Sequence, residues 1–313
     1  VNPIMRVIHG LSGTICPPAC VASIGNFDGV HLGHQTLVRR LTEQGHRLGL
    51  PVALVLFEPQ PREFFDQDQS PPRLMRLSEK LTRLAELPVD WVLLLRFDEK
   101  LATLAPADFV RRILAERLHV RHLIVGDDFR FGRGRSGDYE LLCRLGRLHG
   151  FAVSDTESVT VGGIRVSSTR VREALGRGDM AGAATLLGRP YALRGRVVHG
   201  DQLGRRLGFP TANVELGREN IPVQGVFAVT MSGISAEPWP GVANIGIRPT
   251  VGGHRKAMLE THLFDFAGDL YGRRVEIHLH YKLRDEMRFA NLEELKEQIA
   301  CDAAAARSHF AAG

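Results

Sequence analysis

Apolar and polar positions follow two different rhythms along this chain of 313 residues. In the first half, short apolar runs at 21–25, 52–57, 91–97 and 122–126 predict buried strands. Between and after them, apolar residues recur at helical spacing over 35–48, 78–87, 107–119 and 139–149. Pro106 suits the first turn of the third of these helices. Strands and helices that alternate in this way predict βαβ units and a parallel sheet covered on both faces. A further helix is expected over 169–187.

The rhythm breaks at Gly188-Arg189-Pro190-Tyr191. Beyond it come short β-type runs divided by Gly and Pro, at 193–198, 211–214, 225–231, 241–245, 260–264 and 275–283. Such runs predict a small barrel. Asn291 then caps an expected helix from 292 to about 310. Two domains are therefore expected, 1–187 and 188–313. No fixed-period repeat or low-complexity segment interrupts them.

Composition narrows the class. Hydrophobic content of 44% and charged content of 24% are globular values. No apolar run reaches about 18 residues, so no membrane partner is expected. No charged head precedes a long apolar core, so no secretory signal is expected either. Cys16, Cys20, Cys143 and Cys301 lack the second close pair that a four-cysteine zinc site needs, and they read as free thiols of a cytoplasmic protein. The net charge is +5, and only Lys80, Lys100, Lys256, Lys282 and Lys296 are lysines. Basic residues are spread rather than blocked, which suits anionic small substrates such as nucleotides. An RNA-binding protein is the competing reading, but no basic block or aromatic RNA-binding pattern supports it, so no nucleic-acid partner is expected.

The segment GNFDGVHLGH, 25–34, sits where a strand gives way to a helix. Ligands of parallel sheets bind beyond the carboxyl ends of strands, and helix N-termini favour phosphate. Gly25, Gly29 and Gly33 let the backbone approach an anion. His31 and His34, three apart at a helix start, point to one side and can stabilise charge on a phosphoryl group. Two histidines can also merely fill a loop, but the flanking glycines and the junction favour the anion site. A zinc site lacks a third ligand. The Gly132-x-Gly134-x-x-Gly137 run matches a dinucleotide fingerprint only in letters, because residues 127–131 separate it from the preceding strand. No Gly-Lys pair exists to form a Walker A loop.

A second glycine-dense segment, GDQLGRRLGFPTANVEL, spans 200–216. Thr211 and Asn213 fall at alternate positions, so in a strand they face the same side. A hydroxyl and an amide oxygen facing together suit Mg²⁺ with nucleotide phosphates completing its shell.

These segments resemble those of the bacterial FAD synthetases, the bifunctional riboflavin kinase/FMN adenylyltransferases. GNFDGVHLGH resembles the nucleotidyltransferase HxGH motif of that family. FEPQPREFF (57–65), GDDFRFGRGRSGD (126–138) and VSSTRVR (166–172) resemble its later motifs in the same order. GRRLGFPTAN (204–213), GVFAV (225–229), GVANIGIRPTV (241–251) and LETHLFDFAGDLYG (259–272) resemble riboflavin-kinase motifs. Gln60, Val166 and Phe227 replace residues commoner in the family. The resemblance spans nearly the whole chain. It implies a Rossmann-like nucleotidyltransferase domain followed by a riboflavin-kinase-like barrel with a terminal helix.

It also implies roles. Asn26, Asp28, His31, His34, Ser168, Thr169 and Arg172 would lie in the ATP site of the adenylyltransferase, with the histidines catalytic. Phe57, Pro59, Asp128 and Phe131 would lie toward its flavin. Gly204, Arg205, Gly208, Thr211 and Asn213 would hold kinase ATP, with Thr211 and Asn213 toward Mg²⁺. Glu260 would be the kinase base. The two nucleophiles fit these roles. FMN already carries a phosphate with a second pKa of about 6, so it needs no base. The ribityl hydroxyl of riboflavin is neutral and does. The implied partners are riboflavin, FMN, FAD and ATP. A chain with only one live activity remains an alternative.

Overall fold

The computed structural model describes residues 4–13, 15–126, 128–200, 204, 207–249 and 255–311. Its contacts divide the chain into two compact units: Val1–Pro71 with Leu77–Val166, and Pro72–Arg76 with Ser167–Gly313.

The first unit is built on β1 (Arg6–His9), β2 (Cys20–Ile24), β3 (Val52–Glu58), β4 (Trp91–Arg96), β5 (Val120–Gly126) and β6 (Ala152–Thr156). All their pairings are parallel, in the order β1-β4-β3-β2-β5-β6. The central β2 is buried at every residue because helices cover both faces of a parallel sheet. The helices are α1 (Leu32–Leu48), α2 (Pro61–Phe65), α3 (Leu77–Ala85), α4 (Glu99–Ala102), α5 (Pro106–Phe109) and α6 (Tyr139–Leu148). From β2 the chain adds β3 and β4 on one side, then returns to add β5 on the other. Strand order therefore reverses beside β2, and the loops after β2 and β5 leave the sheet at this switch point, where open parallel sheets bind ligands.

After a short antiparallel hairpin of β7 (Thr160–Val161) and β8 (Ile164–Arg165), the second unit opens with α7 (Ser168–Gly176) and α8 (Met180–Leu187). A closed antiparallel barrel follows: β9 (Tyr191–Val198), β10 (Ala212–Glu215), β11 (Gly225–Ser232), β12 (Trp239–Pro249), β13 (Arg255–Leu263) and β14 (Arg274–Arg284). Its order is β10-β13-β12-β11-β14-β9, with β9 pairing back onto β10. Alternate residues such as Leu193, Val197, Phe227, Val229, Leu259, Ile277 and Leu279 fill its interior. The last helix, α9 (Leu292–Ala311), packs Ala303 and Ala306 against Val226, Ala228, Val242 and Phe264. Asn291 Oδ1 accepts from the Glu294 N–H at its start, the cap expected from sequence.

Several elements depart from expectation. The helix expected from residue 35 begins at Leu32, because His31 caps it. The helix expected over 107–119 starts as α5 and continues from Val110 to Arg117 as a π-helix. The single helix expected over 169–187 is two, broken at Gly178 (φ +77°), with Asp179 capping the second. β10 starts at Ala212, so Thr211 precedes the strand. The expected break at residue 188 is the left-handed C-cap of α8. Grouped by contacts, the units part at Val166/Ser167, and α7 and α8 go with the barrel.

The stretch 72–76 is also part of the barrel unit. Tyr191 Oη donates to the Leu74 carbonyl (3.0 Å), Arg76 Nη2 to the Arg194 carbonyl (2.8 Å) and Arg172 Nε to the Pro72 carbonyl (2.7 Å).

Candidate active sites

In the first unit, the loop between β2 and α1 is held in an uncommon shape. Phe27 and Val30 have φ of +48° and +43°, and Gly29 has +85°. Non-glycine residues rarely occupy this region and cluster there at functional sites. Phe27 is buried and sets its ring 4.8 Å from that of His34. Asp28 is buried, whereas Asn26 is exposed.

His31 and His34 come together as expected. Their rings stack with centroids 3.7 Å apart. His31 is the N-cap of α1, and its Nδ1 accepts from the His34 backbone N–H at 3.3 Å. A nitrogen that accepts carries no proton, so the neutral His31 ring has its proton on Nε2. A Cβ at Gly33 would come within 3.1 Å of the His31 ring, which explains the small residue between the histidines. Burial holds His34 well below the usual histidine range, and the charges of His31 and Lys80 push it the same way. Its Nδ1 is buried without a hydrogen-bond partner among the described residues. His34 is therefore a neutral hydrogen-bonding group.

Lys80 on α3 was not singled out by sequence reasoning. It is only 1% exposed. It shares the buried side of α3 with Leu84, four residues on.

Beside this loop lies a cavity of about 510 Å³. Phe57, Phe65, Phe97, Phe109, Phe129 and Phe131 give it an aromatic wall at the carboxyl edge of the sheet. Of the four residues expected toward flavin, Phe57 and Phe131 line it and Pro59 and Asp128 do not. Pro59 follows a cis peptide bond. The Gly132–Gly137 run closes on itself, with Phe131 and Gly137 exchanging backbone hydrogen bonds of 3.1 and 2.9 Å. A Cβ at Gly137 would meet the Phe131 ring at 2.7 Å, so this glycine serves packing and no dinucleotide turn. Ser168, Thr169 and Arg172 lie on α7, in the second unit.

The barrel carries two cavities, of about 350 and 560 Å³, and Thr211 lines both. Glu260 lines the smaller with Phe209, Asn244 and Arg284. Register sets Glu260 directly between Asn213 on β10 and Asn244 on β12. Side chains directly opposite in adjacent strands share one face. Asn244 escaped sequence reasoning because register is not written in one segment. Thr261 lines the larger cavity, and its buried Oγ1 has no partner among the described residues. His199 and Tyr271 stack at 3.8 Å, and Tyr271 lines the same cavity.

Gly204 lines the smaller cavity, and a Cβ there would lie 3.2 Å from Thr211 Oγ1. Gly208 adopts φ of +88°. Asn213 is buried, with its amide against Gly200 where a Cβ would collide. It lines neither cavity. Arg205 lies outside the described residues. Helix α9 closes the smaller cavity with Leu295, Ile299 and Asp302. Asp302 accepts from Arg284 Nη2 at 2.7 Å and Nε at 3.0 Å.

Comparison with known proteins also gives two parts, the second beginning close to the start of β9. The FAD synthetase family model matches residues 14–170, and the riboflavin kinase model matches 187–310. The bifunctional riboflavin kinase/FMN adenylyltransferase of Escherichia coli K12 is 52% identical over 98% of both chains. The chain belongs to the bifunctional riboflavin kinase/FMN adenylyltransferase family. Members from Pseudomonas fluorescens (53% identical, 97% of each chain) and Haemophilus influenzae (44%, 98% of this chain and 99% of that one) are similar over the same span. The crystal structure of a macrolide-efflux protein from Streptococcus pneumoniae shares the fold, with a TM-score of 0.82 and 27% identity over 97% of this chain and 99% of that one. Among the described residues of this family member, no helix is long and apolar enough to cross a membrane.

Proposed function

We propose that this chain, acting in the cytosol, phosphorylates riboflavin to FMN in its barrel unit and adenylylates FMN to FAD in its sheet unit. The observation that carries the reading is Thr211, which lines two adjoining barrel cavities, one of which holds Glu260. A nucleotide in the larger cavity and a flavin in the smaller would meet at this residue. Glu260 takes the proton of the ribityl 5′-hydroxyl as its oxygen attacks the γ-phosphorus of ATP, and ADP leaves. The asparagines on either side of Glu260 are placed to orient it.

Mg²⁺ fits the donors around Thr211. Among the described residues no group of three His, Cys, Asp or Glu could hold a metal. Thr211 and Asn213 offer neutral oxygens facing glycines whose missing Cβ leaves room. Such a set suits an ion held mainly by nucleotide phosphates. When bound, the ion neutralises phosphate charge.

In the sheet unit, the aromatic cavity suits the isoalloxazine ring. The phosphate oxygen of FMN, already ionised, attacks the α-phosphorus of ATP, and pyrophosphate leaves. No proton moves. His31 and His34, at the start of α1, donate hydrogen bonds to the charge that develops.

The test is incubation with riboflavin and MgATP, resolving flavins by chromatography over time. FMN should appear first and FAD after it. Failure of either flavin to form removes the corresponding half of the reading.

A further inference from the structure

The cavity that holds Glu260 contains a second carboxylate in a built position. Glu286 lines it, and Glu286 Oε1 fills the space that a Cβ on Gly246 would need. Gly246 is two residues along β12 from Asn244, so both positions share a face, and Asn244 opposes Glu260. Two strand residues span about 7 Å. The carboxylate over Gly246 therefore lies within roughly 8 Å of the position of Glu260. Asp302 is a third acid in the wall, and Arg284 pairs with it. Among the described residues the lining thus sets three carboxylates beside one guanidinium.

The flavin-sized cavity of the sheet unit has the opposite character. Its lining includes Arg62, Arg130 and Arg135 and no carboxylate among the described residues. Asp138 lies 3.6 Å from Arg130 without lining the cavity.

We propose that Glu286 is a specificity-determining residue of the barrel cavity, admitting the uncharged flavin and expelling the phosphorylated one. The inference rests on the kinase reading above. Phosphorylation converts a neutral ligand into one of charge near −2 at neutral pH. Like charges several ångströms apart then oppose retention of the product, the more so at low salt. Riboflavin brings no such charge.

The test compares full-length wild type with Glu286→Gln and Glu286→Lys. Initial rates of ADP release report the kinase alone, and the KM for riboflavin and the inhibition constant for FMN are measured over a salt series. The Gln variant should bind inhibitory FMN about three- to tenfold more tightly, and the Lys variant more tightly still. The KM for riboflavin should move by a smaller factor than the FMN inhibition constant in the Gln variant. The gap in FMN inhibition between wild type and variant should narrow as salt rises, which a purely structural role would not produce. Unchanged FMN inhibition with normal riboflavin phosphorylation overturns this inference and leaves the kinase reading standing. Absence of phosphorylation by the wild type overturns both.

Discussion

His31 and His34 stack face to face, with ring planes only 16° apart and the Nδ1 of the first accepting from the backbone of the second. Each ring thereby fixes the other, and loss of either disturbs both. His31→Ala and His34→Ala should each lower FAD formation by on the order of 10²-fold, as for loss of a preorganised donor. FMN formation should persist. Near-normal FAD synthesis in the double variant removes the assignment.

Burial, with repulsion from His31 and Lys80, keeps His34 neutral, and burial likewise lowers His122 and His280. Such groups bind fewer protons folded than unfolded between their folded pKa and about 6.5. Stability therefore rises with pH through that window and is lost as pH falls below about 6.5. The melting temperature should drop between pH 7.5 and 5.5. His122 bridges Gln44 and Ser154. His122→Asn should melt lower at pH 7.5 yet show a flatter pH dependence. An equally steep profile in that variant would show that His122 contributes nothing to it.

Glu260→Gln keeps shape and hydrogen-bonding capacity but removes the basic oxygen. FMN formation should fall about 10²–10⁴-fold. FAD formation from supplied FMN should stay close to wild type, because Glu260 belongs to the other unit. Thr211→Val should also slow the kinase, with partial recovery in excess Mg²⁺. Extra Mg²⁺ should not restore the Gln variant. A full kinase rate in Glu260→Gln, with chemistry limiting turnover, would place the base elsewhere.

Two ion pairs fasten α9 and should differ in weight. Arg284–Asp302 is largely buried and bidentate, whereas Arg307–Asp265 is half-exposed or more on both sides. Breaking the buried pair by Asp302→Asn should cost about 3 kcal/mol, measured by denaturant unfolding. Asp265→Asn should leave the unfolding midpoint nearly unchanged. Equal effects would show that burial does not decide between them.

The strands that periodicity missed are instructive. β1 and β6 are the two edges of the parallel sheet. Edge strands are half-covered, so Arg6–His9 and Ala152–Thr156 carry polar residues where central strands are continuously apolar. The two glycine-rich segments were legible because each is local: the first joins a strand to the helix that follows it, and the second leads directly into β10. Lys80 beside His34 and Asn244 opposite Glu260 were not, because each relation joins distant segments. The split of one expected helix into α7 and α8 turned on Gly178 and the Asp179 cap, a local signal that a continuous apolar rhythm hides.

The stretch 72–76 alters what a minimal kinase fragment must contain. Residues 187–313 alone lack that stretch, α7 and α8, and leave the buried Tyr191 hydroxyl without its Leu74 acceptor. An unmet buried polar group costs about 1–3 kcal/mol. A fragment of residues 167–313 should therefore melt higher than one of 187–313, and adding a peptide of residues 70–78 should raise both. Identical melting of the two fragments would make the upstream helices dispensable.

The same stretch bears on how the chain is made. Leu74 waits for Tyr191, 117 residues later, and Arg73 for Arg218, 145 residues later. At roughly 5–20 residues per second, a ribosome needs on the order of ten seconds or more to deliver those partners. The barrel unit is thus begun before the sheet unit is complete and finished only after it. Its assembly during synthesis cannot run strictly from one end to the other, and a nascent chain halted near residue 190 would hold Leu74 and Arg76 without their barrel partners.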